Sequence, residues 1–72
     1  MNLLDRTVEF TAALRRAHVP VSSAETVDAL RAVGAVGWSD REAVRAAFAA
    51  TLCKRSLYRN VFDSLFDLYF PA

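Results

Sequence analysis

The chain has 72 residues, of which 54% are apolar, nine are basic and eight are acidic. A chain of this length forms at most one domain, residues 1–72, and buries only about 60% of its unfolded surface. Its single cysteine excludes an internal disulfide, and one cysteine with one histidine cannot build a structural zinc site. The nearly neutral charge argues against nucleic-acid binding. No basic leader or long apolar run is present, so we expect no signal peptide, no membrane span and a cytoplasmic protein.

The first predicted helix runs from about Leu3 to Ala17, because apolar residues recur there at spacings of three and four. It ends on Arg15 and Arg16, basic residues that suit the negative end of the helix dipole. Both are also candidate contacts for a protein partner. Pro20 breaks the helix, and His18 has no neighbouring group to activate it, so we expect a surface or C-capping histidine.

The second predicted helix begins with the capping box Ser22-Ser23-Ala24-Glu25 and continues to about Val33. Gly34 would end it, since glycine adopts the left-handed conformation readily. A short apolar loop follows and contains Trp38. A tryptophan just before a helix usually closes over the core, which we favour over an exposed partner anchor.

The third predicted helix begins at Asp40, within a second capping box, Ser39-Asp40-Arg41-Glu42. Near its end we expect Cys53 to be a small buried hydrophobe rather than a reactive thiol. Lys54-Arg55-Ser56 then marks either a break, with Ser56 capping the next helix, or a bend within one long helix.

The densest basic cluster of the chain lies at this junction and consists of Lys54, Arg55 and Arg59. It is a candidate surface for an acidic partner. The alternative is that these side chains neutralise Asp63 or the dipole of a helix end.

The last predicted helix, Leu57–Phe70, is apolar over most of its circumference and carries most of the aromatic residues of the chain. Pro71 ends it. We therefore predict an all-α fold, a small four-helix domain packed around this aromatic-rich C-terminal helix.

Two other functional classes fit the size and helix count less well. A helix-turn-helix protein would present Arg41 and Arg45 on its recognition helix, but Asp40 and Glu42 would then meet the phosphates. Ser64 matches the phosphopantetheine attachment tripeptide of carrier proteins, but it lies in the last helix of a neutral chain. The sequence shows no catalytic carboxylate pair, phosphate loop or metal-ligand spacing, so we predict no catalytic, cofactor or metal residues.

Several short segments, in a fixed order and spacing, carry a family resemblance that covers almost the whole chain. These segments are Phe10-Thr11-Ala12-Ala13-Leu14-Arg15, Val19-Pro20-Val21-Ser22, Ala24-Glu25-Thr26, Asp28-Ala29-Leu30-Arg31, Asp40-Arg41-Glu42, Leu52, Lys54-Arg55 and Val61-Phe62-Asp63-x-Leu65-Phe66-Asp67-x-Tyr69-Phe70. Together they resemble the N-terminal helical region of the CoxE-like proteins, a bacterial family that carries a von Willebrand factor A domain further along.

The resemblance implies a non-catalytic adaptor that works beside a MoxR-type AAA+ ATPase in the maturation or remodelling of metalloenzymes. The expected partners are that ATPase, a von Willebrand factor A domain or a metalloenzyme client, and a second copy of the chain is a further candidate. The A domain and its metal site are missing here, so no metal residue can be carried over. Two alternatives stay open, a fragment of a longer protein and a stand-alone version. The runner-up function is a small helical DNA-binding or regulatory domain.

Overall fold

The computed structural model describes residues 2–72, and within this range the chain forms four α-helices and no strand. The helices are α1 (Leu3–Arg16), α2 (Ser23–Val36), α3 (Arg41–Leu52) and α4 (Arg59–Tyr69), with a 3₁₀ turn at Ser56–Tyr58. The all-α, four-helix prediction is confirmed. Helices α3 and α4 are separate, so the alternative of one bent helix is wrong.

Helix α1 ends in a Schellman motif built on His18. This residue has a left-handed backbone with φ of 69°, which is the conformation that the motif requires after the last helical turn. The Val19 N–H donates to the Leu14 carbonyl at 2.9 Å, and the His18 N–H donates to the Arg15 carbonyl at 3.0 Å. Leu14 and Val19 are both buried, which agrees with the apolar contact that usually accompanies a Schellman motif. His18 is exposed, and the prediction of a C-capping histidine is confirmed.

Helix α2 begins as predicted and ends later than predicted. The Ser22 Oγ accepts from the Glu25 N–H at 3.1 Å, and the Glu25 carboxylate accepts from the Ser22 N–H at 2.8 Å. The prediction that Gly34 ends the helix is wrong, because the helix continues to Val36 and the positive φ of 83° falls at Gly37. A glycine inside a helix costs only about 1 kcal/mol, so the helix can continue through Gly34.

Helix α3 is capped by Asp40, not by Ser39 as predicted. The Asp40 carboxylate accepts from the N–H groups of Glu42 and Ala43, both at 3.1 Å. Asp40 reaches these N–H groups from one position later in the chain, which leaves the Ser39 hydroxyl without a capping role. The Glu42 carboxylate instead pairs with Arg41 and Arg45.

The start of α4 also differs from the prediction. Ser56 does not cap it but opens the 3₁₀ turn, and Tyr58 takes the N-cap position without a side-chain hydrogen bond. Leu57 lies in that turn and is 71% exposed. The helix therefore begins two residues later than the apolar pattern indicated.

The core is an aromatic cluster centred on Phe10 of α1. Its ring centroid lies 5.5–6.1 Å from the rings of Phe48, Phe62, Phe66, Tyr69 and Phe70. Helix α2 contributes Ala29 and Val33 to the same core. The last helix was expected to be apolar over most of its circumference, but it buries Phe62, Phe66 and Phe70 and leaves Leu68 70% exposed.

Trp38 closes one end of this cluster, as predicted. Its ring meets the Phe48 ring edge-on at 6.1 Å and stacks on the Phe70 ring at 6.3 Å. Within residues 2–72, no helix has both the length and the apolar character needed to cross a membrane.

Candidate functional site

The first pair of predicted partner-binding residues, Arg15 and Arg16, lies at the end of α1, where the two side chains have different surroundings. The Arg15 Nε donates to the Val21 carbonyl at 2.8 Å, and its Nη2 donates to the Thr26 Oγ1 at 3.2 Å. These bonds hold the α1–α2 connection against α2, so Arg15 has a structural role. Arg16 is exposed and makes no side-chain hydrogen bond among the described residues.

The second predicted group divides between two surfaces, because Lys54 and Arg55 line a groove and Arg59 does not. This groove, called here the loop groove, has a volume of about 470 Å³ and lies between the α1–α2 connection and the break that follows α3. Its lining residues are Val19, Pro20, Val21, Ser22, Glu25, Leu52, Lys54, Arg55 and Tyr58.

The floor of the loop groove is apolar and its rim is basic. Val19, Val21 and Leu52 are buried beneath it, and Tyr58 is half-buried. Lys54 and Arg55 are exposed at the rim, where the Lys54 Nζ donates to the Ala50 carbonyl at 3.3 Å. Neither side chain has a carboxylate within 4 Å among residues 2–72.

One carboxylate, that of Glu25, also lines the loop groove. The pKa of the Glu25 carboxyl is lowered mainly because the carboxylate accepts a hydrogen bond from the Ser22 backbone N–H. The Ser22 hydroxyl and the charge of Lys54 lower this pKa further. Since Glu25 is held in the capping box of α2, it moderates the positive charge of the rim without forming an ion pair there.

Arg59 does not line the loop groove and pairs within α4 instead. Its Nε donates to both carboxylate oxygens of Asp63 at 3.1 Å, and its guanidinium lies 5.6 Å from the centroid of the Phe62 ring. For this residue the structure shows the alternative that the sequence left open, neutralisation of Asp63.

An ion-pair network between α3 and α4 was missed by the sequence reasoning. Arg45 donates to Asp63 at 3.2 Å and to Asp67 at 2.6 Å, while Arg41 donates to Asp67 at 2.7 Å. Both guanidinium groups also lie over the Phe66 ring, at 5.3 Å for Arg41 and 4.6 Å for Arg45. The sequence has two arginines four residues apart on one helix and two aspartates four residues apart on another. This matched spacing is the signal from which the network could have been predicted.

The network has two further effects on α4. The hydrogen bond from Arg45, followed by that from Arg41, lowers the pKa of the Asp67 carboxyl below its ordinary value. The Arg41 Nε donates to the Phe70 carbonyl at 2.7 Å and so satisfies a carbonyl at the end of α4. The contacts of both arginines therefore fasten α4 to α3.

Two further features concern the metal-ligating side chains and the single cysteine. Residues 2–72 contain no group of three or more histidine, cysteine, aspartate or glutamate side chains that could hold a metal ion. Cys53 is half-buried against the core, and its Sγ donates weakly to the Arg55 carbonyl at 3.5 Å.

Comparison with known families identifies the chain. The model of the CoxE N-terminal helical bundle domain matches residues 7–72, which is nearly the whole sequence. Searches of the curated proteins and of the solved structures gave no significant match. The helical bundle described above agrees with the domain that the family model represents. The chain therefore belongs to the CoxE N-terminal helical bundle family.

Proposed function

We propose that this domain is a non-catalytic protein-interaction module, an adaptor that acts with a MoxR-type AAA+ ATPase in the maturation or remodelling of a metalloenzyme in the cytoplasm. Membership of the CoxE family supports the setting. The observation that carries the interaction role is the loop groove, because it joins an apolar floor to two exposed cations. Apolar contact framed by charge is typical of protein recognition sites.

The helix-turn-helix alternative has less support from the geometry. Arg41 and Arg45, the two arginines that a recognition helix would offer, are held by carboxylates and by the end of α4. Freeing them for phosphate contacts would cost these interactions. We expect no salt-dependent mobility shift with duplex DNA, and a saturable shift would favour the alternative.

The proposed function is tested with purified proteins. The 72-residue chain is titrated against a MoxR-type ATPase from the same genome, with ATP or ADP present, and separately against the A domain of a CoxE-like protein. We expect a saturable complex with at least one of them by isothermal titration calorimetry. A Phe10→Ala variant serves as control, because removing the central ring should unfold the domain and abolish the complex. No complex with either protein would overturn the proposal.

A further inference from the structure

We propose that the loop groove binds an extended acidic peptide segment, with an apolar side chain on the floor and carboxylates on Lys54 and Arg55. This inference rests on the proposed function, since it names the kind of partner segment that the adaptor takes. Three features of the groove favour such a segment: the apolar floor, the charge of the rim and the backbone of one wall.

The floor selects an apolar side chain. Leu52 has no exposed surface and Val19 is 1% exposed, so both form packed hydrocarbon beneath the groove, and Val21, which is 7% exposed, lies with them. Tyr58 adds a half-buried aromatic ring, and Pro20 adds an exposed aliphatic ring whose backbone nitrogen has no N–H. A leucine or phenylalanine side chain placed here would be removed from water with little loss of hydrogen bonding.

The rim selects a negative charge. The arginines that serve α4, namely Arg41, Arg45 and Arg59, all have carboxylate partners within the domain. Lys54 and Arg55 have no carboxylate partner among residues 2–72, although they lie at the same junction as Arg59. The Glu25 carboxylate accepts from the Ser22 N–H at 2.8 Å and forms no ion pair with either of these two cations. An incoming carboxylate can therefore pair with them.

The wall after α3 selects an extended chain. Arg55 has φ of −130° and ψ of 138°, which are the dihedral angles of a β-strand. Within residues 2–72 the backbone N–H groups of Lys54 and Arg55 have no acceptor. Successive N–H groups of an extended chain point to opposite sides, so an extended segment lying along this wall can offer a carbonyl group to one of the two, which is the principle of β-strand addition.

Nucleic acid fits this groove less well than an acidic peptide. A phosphate backbone would meet only two cations in this groove, and stable binding of nucleic acid usually needs several more basic contacts.

The test uses two blocked heptapeptides, one of alternating glutamate and leucine and one of alternating lysine and leucine. Each is titrated into the ¹⁵N-labelled 72-residue chain, followed by amide chemical shifts, and binding is also measured by fluorescence anisotropy. We expect saturable binding of the glutamate peptide, with the largest shifts at Val21, Lys54, Arg55 and Tyr58. The lysine peptide should bind more weakly.

The variant Lys54→Glu/Arg55→Glu should weaken binding of the glutamate peptide about tenfold or more and strengthen that of the lysine peptide. Lys54→Ala/Arg55→Ala, which adds no repulsion, should show a smaller loss. The matched control is Arg16→Glu/Arg31→Glu, since it makes the same change in charge at two exposed positions outside the groove. This control should retain wild-type affinity.

Three results would overturn the inference: no saturable binding of the glutamate peptide, shifts confined to the exposed face of α4, or equal losses in the groove variant and its control. Shifts at the groove that depend on protein concentration alone would point to a second copy of the chain and also overturn it. If the ATPase or A-domain complex forms and the peptide fails, only this inference falls. If the peptide binds and neither complex forms, the proposed function falls and the groove assignment stands.

Discussion

At the scale of single residues, the backbone of His18 has a conformation that its side chain does not favour. A left-handed conformation brings the Cβ of an ordinary residue too close to the backbone, a cost that glycine avoids. The Schellman motif nevertheless requires it, because Val19 must turn back to reach Leu14. Glycine is accordingly the usual residue at this position of the motif.

We therefore expect His18→Gly to raise the free energy of unfolding by about 0.5–1 kcal/mol. Urea denaturation followed by circular dichroism measures it. His18→Ala is the control, because it removes the imidazole and keeps the Cβ, so it should bring no such gain. Equal stability of the two variants would contradict the backbone explanation.

At the scale of elements, the two predicted capping boxes have different outcomes. Both begin with a serine three positions before a glutamate, so the sequence pattern treats them alike. In the structure Ser22 receives its hydrogen bond, whereas the serine at position 39 loses that role to Asp40. Two good capping residues side by side are not distinguished by local spacing alone.

Ser22→Ala should lower the free energy of unfolding by about 1 kcal/mol, and so should Asp40→Ala, since each leaves helix N–H groups without their side-chain acceptor. Ser39→Ala is the matched control and should change stability by less than about 0.5 kcal/mol. Chemical denaturation of the three variants measures the difference. A loss at Ser39 as large as that at Ser22 would show that the cap assignment is wrong.

The attachment of α4 should depend on pH through Asp67. Since its folded pKa is lower than its ordinary value of 3.8, the ion pairs with Arg45 and Arg41 stabilise the domain fully above that value. The contribution is lost as the pH falls through 3.8 toward the lower folded pKa. Asp67→Asn should therefore lose less stability than the wild type between about pH 6 and pH 3.

The control for this prediction is Asp28→Asn, which changes an exposed aspartate that has no ion pair among the described residues. Its acid dependence should match that of the wild type. Thermal unfolding at a series of pH values measures both variants. An identical acid dependence in Asp67→Asn and the wild type would show that the ion pairs of Asp67 do not help to hold α4.

At the scale of the whole molecule, a single aromatic cluster connects α1, α3, α4 and the loop that carries Trp38. We expect unfolding in one cooperative transition, because no helix can leave without exposing part of that cluster. The calorimetric and van 't Hoff enthalpies should agree. Phe10→Leu should keep one transition at a lower temperature, and a second transition in either protein would contradict this expectation.

Much of this architecture follows from local patterns, and the departures from it are non-local. Spacing predicted four helices, and the Ser22 box was recognisable from four residues. Gly34 and Gly37 are both plausible terminators, and local spacing did not show that Gly37 is the one with a positive φ. The pairing of Arg45 with Asp67 joins residues 22 positions apart. The loop groove likewise brings two distant connections together, so its basic rim was predictable but its apolar floor was not.

The position of Trp38 also gives the domain an optical property. Its indole is the only one in the chain, and it stacks on Phe70, the residue that closes α4. Movement of α4 away from the core would bring water to that indole and shift its emission to longer wavelength. A partner that merely fills the loop groove would leave the emission unchanged, whereas one that displaces the last helix would alter it, so unlabelled protein distinguishes the two modes of binding.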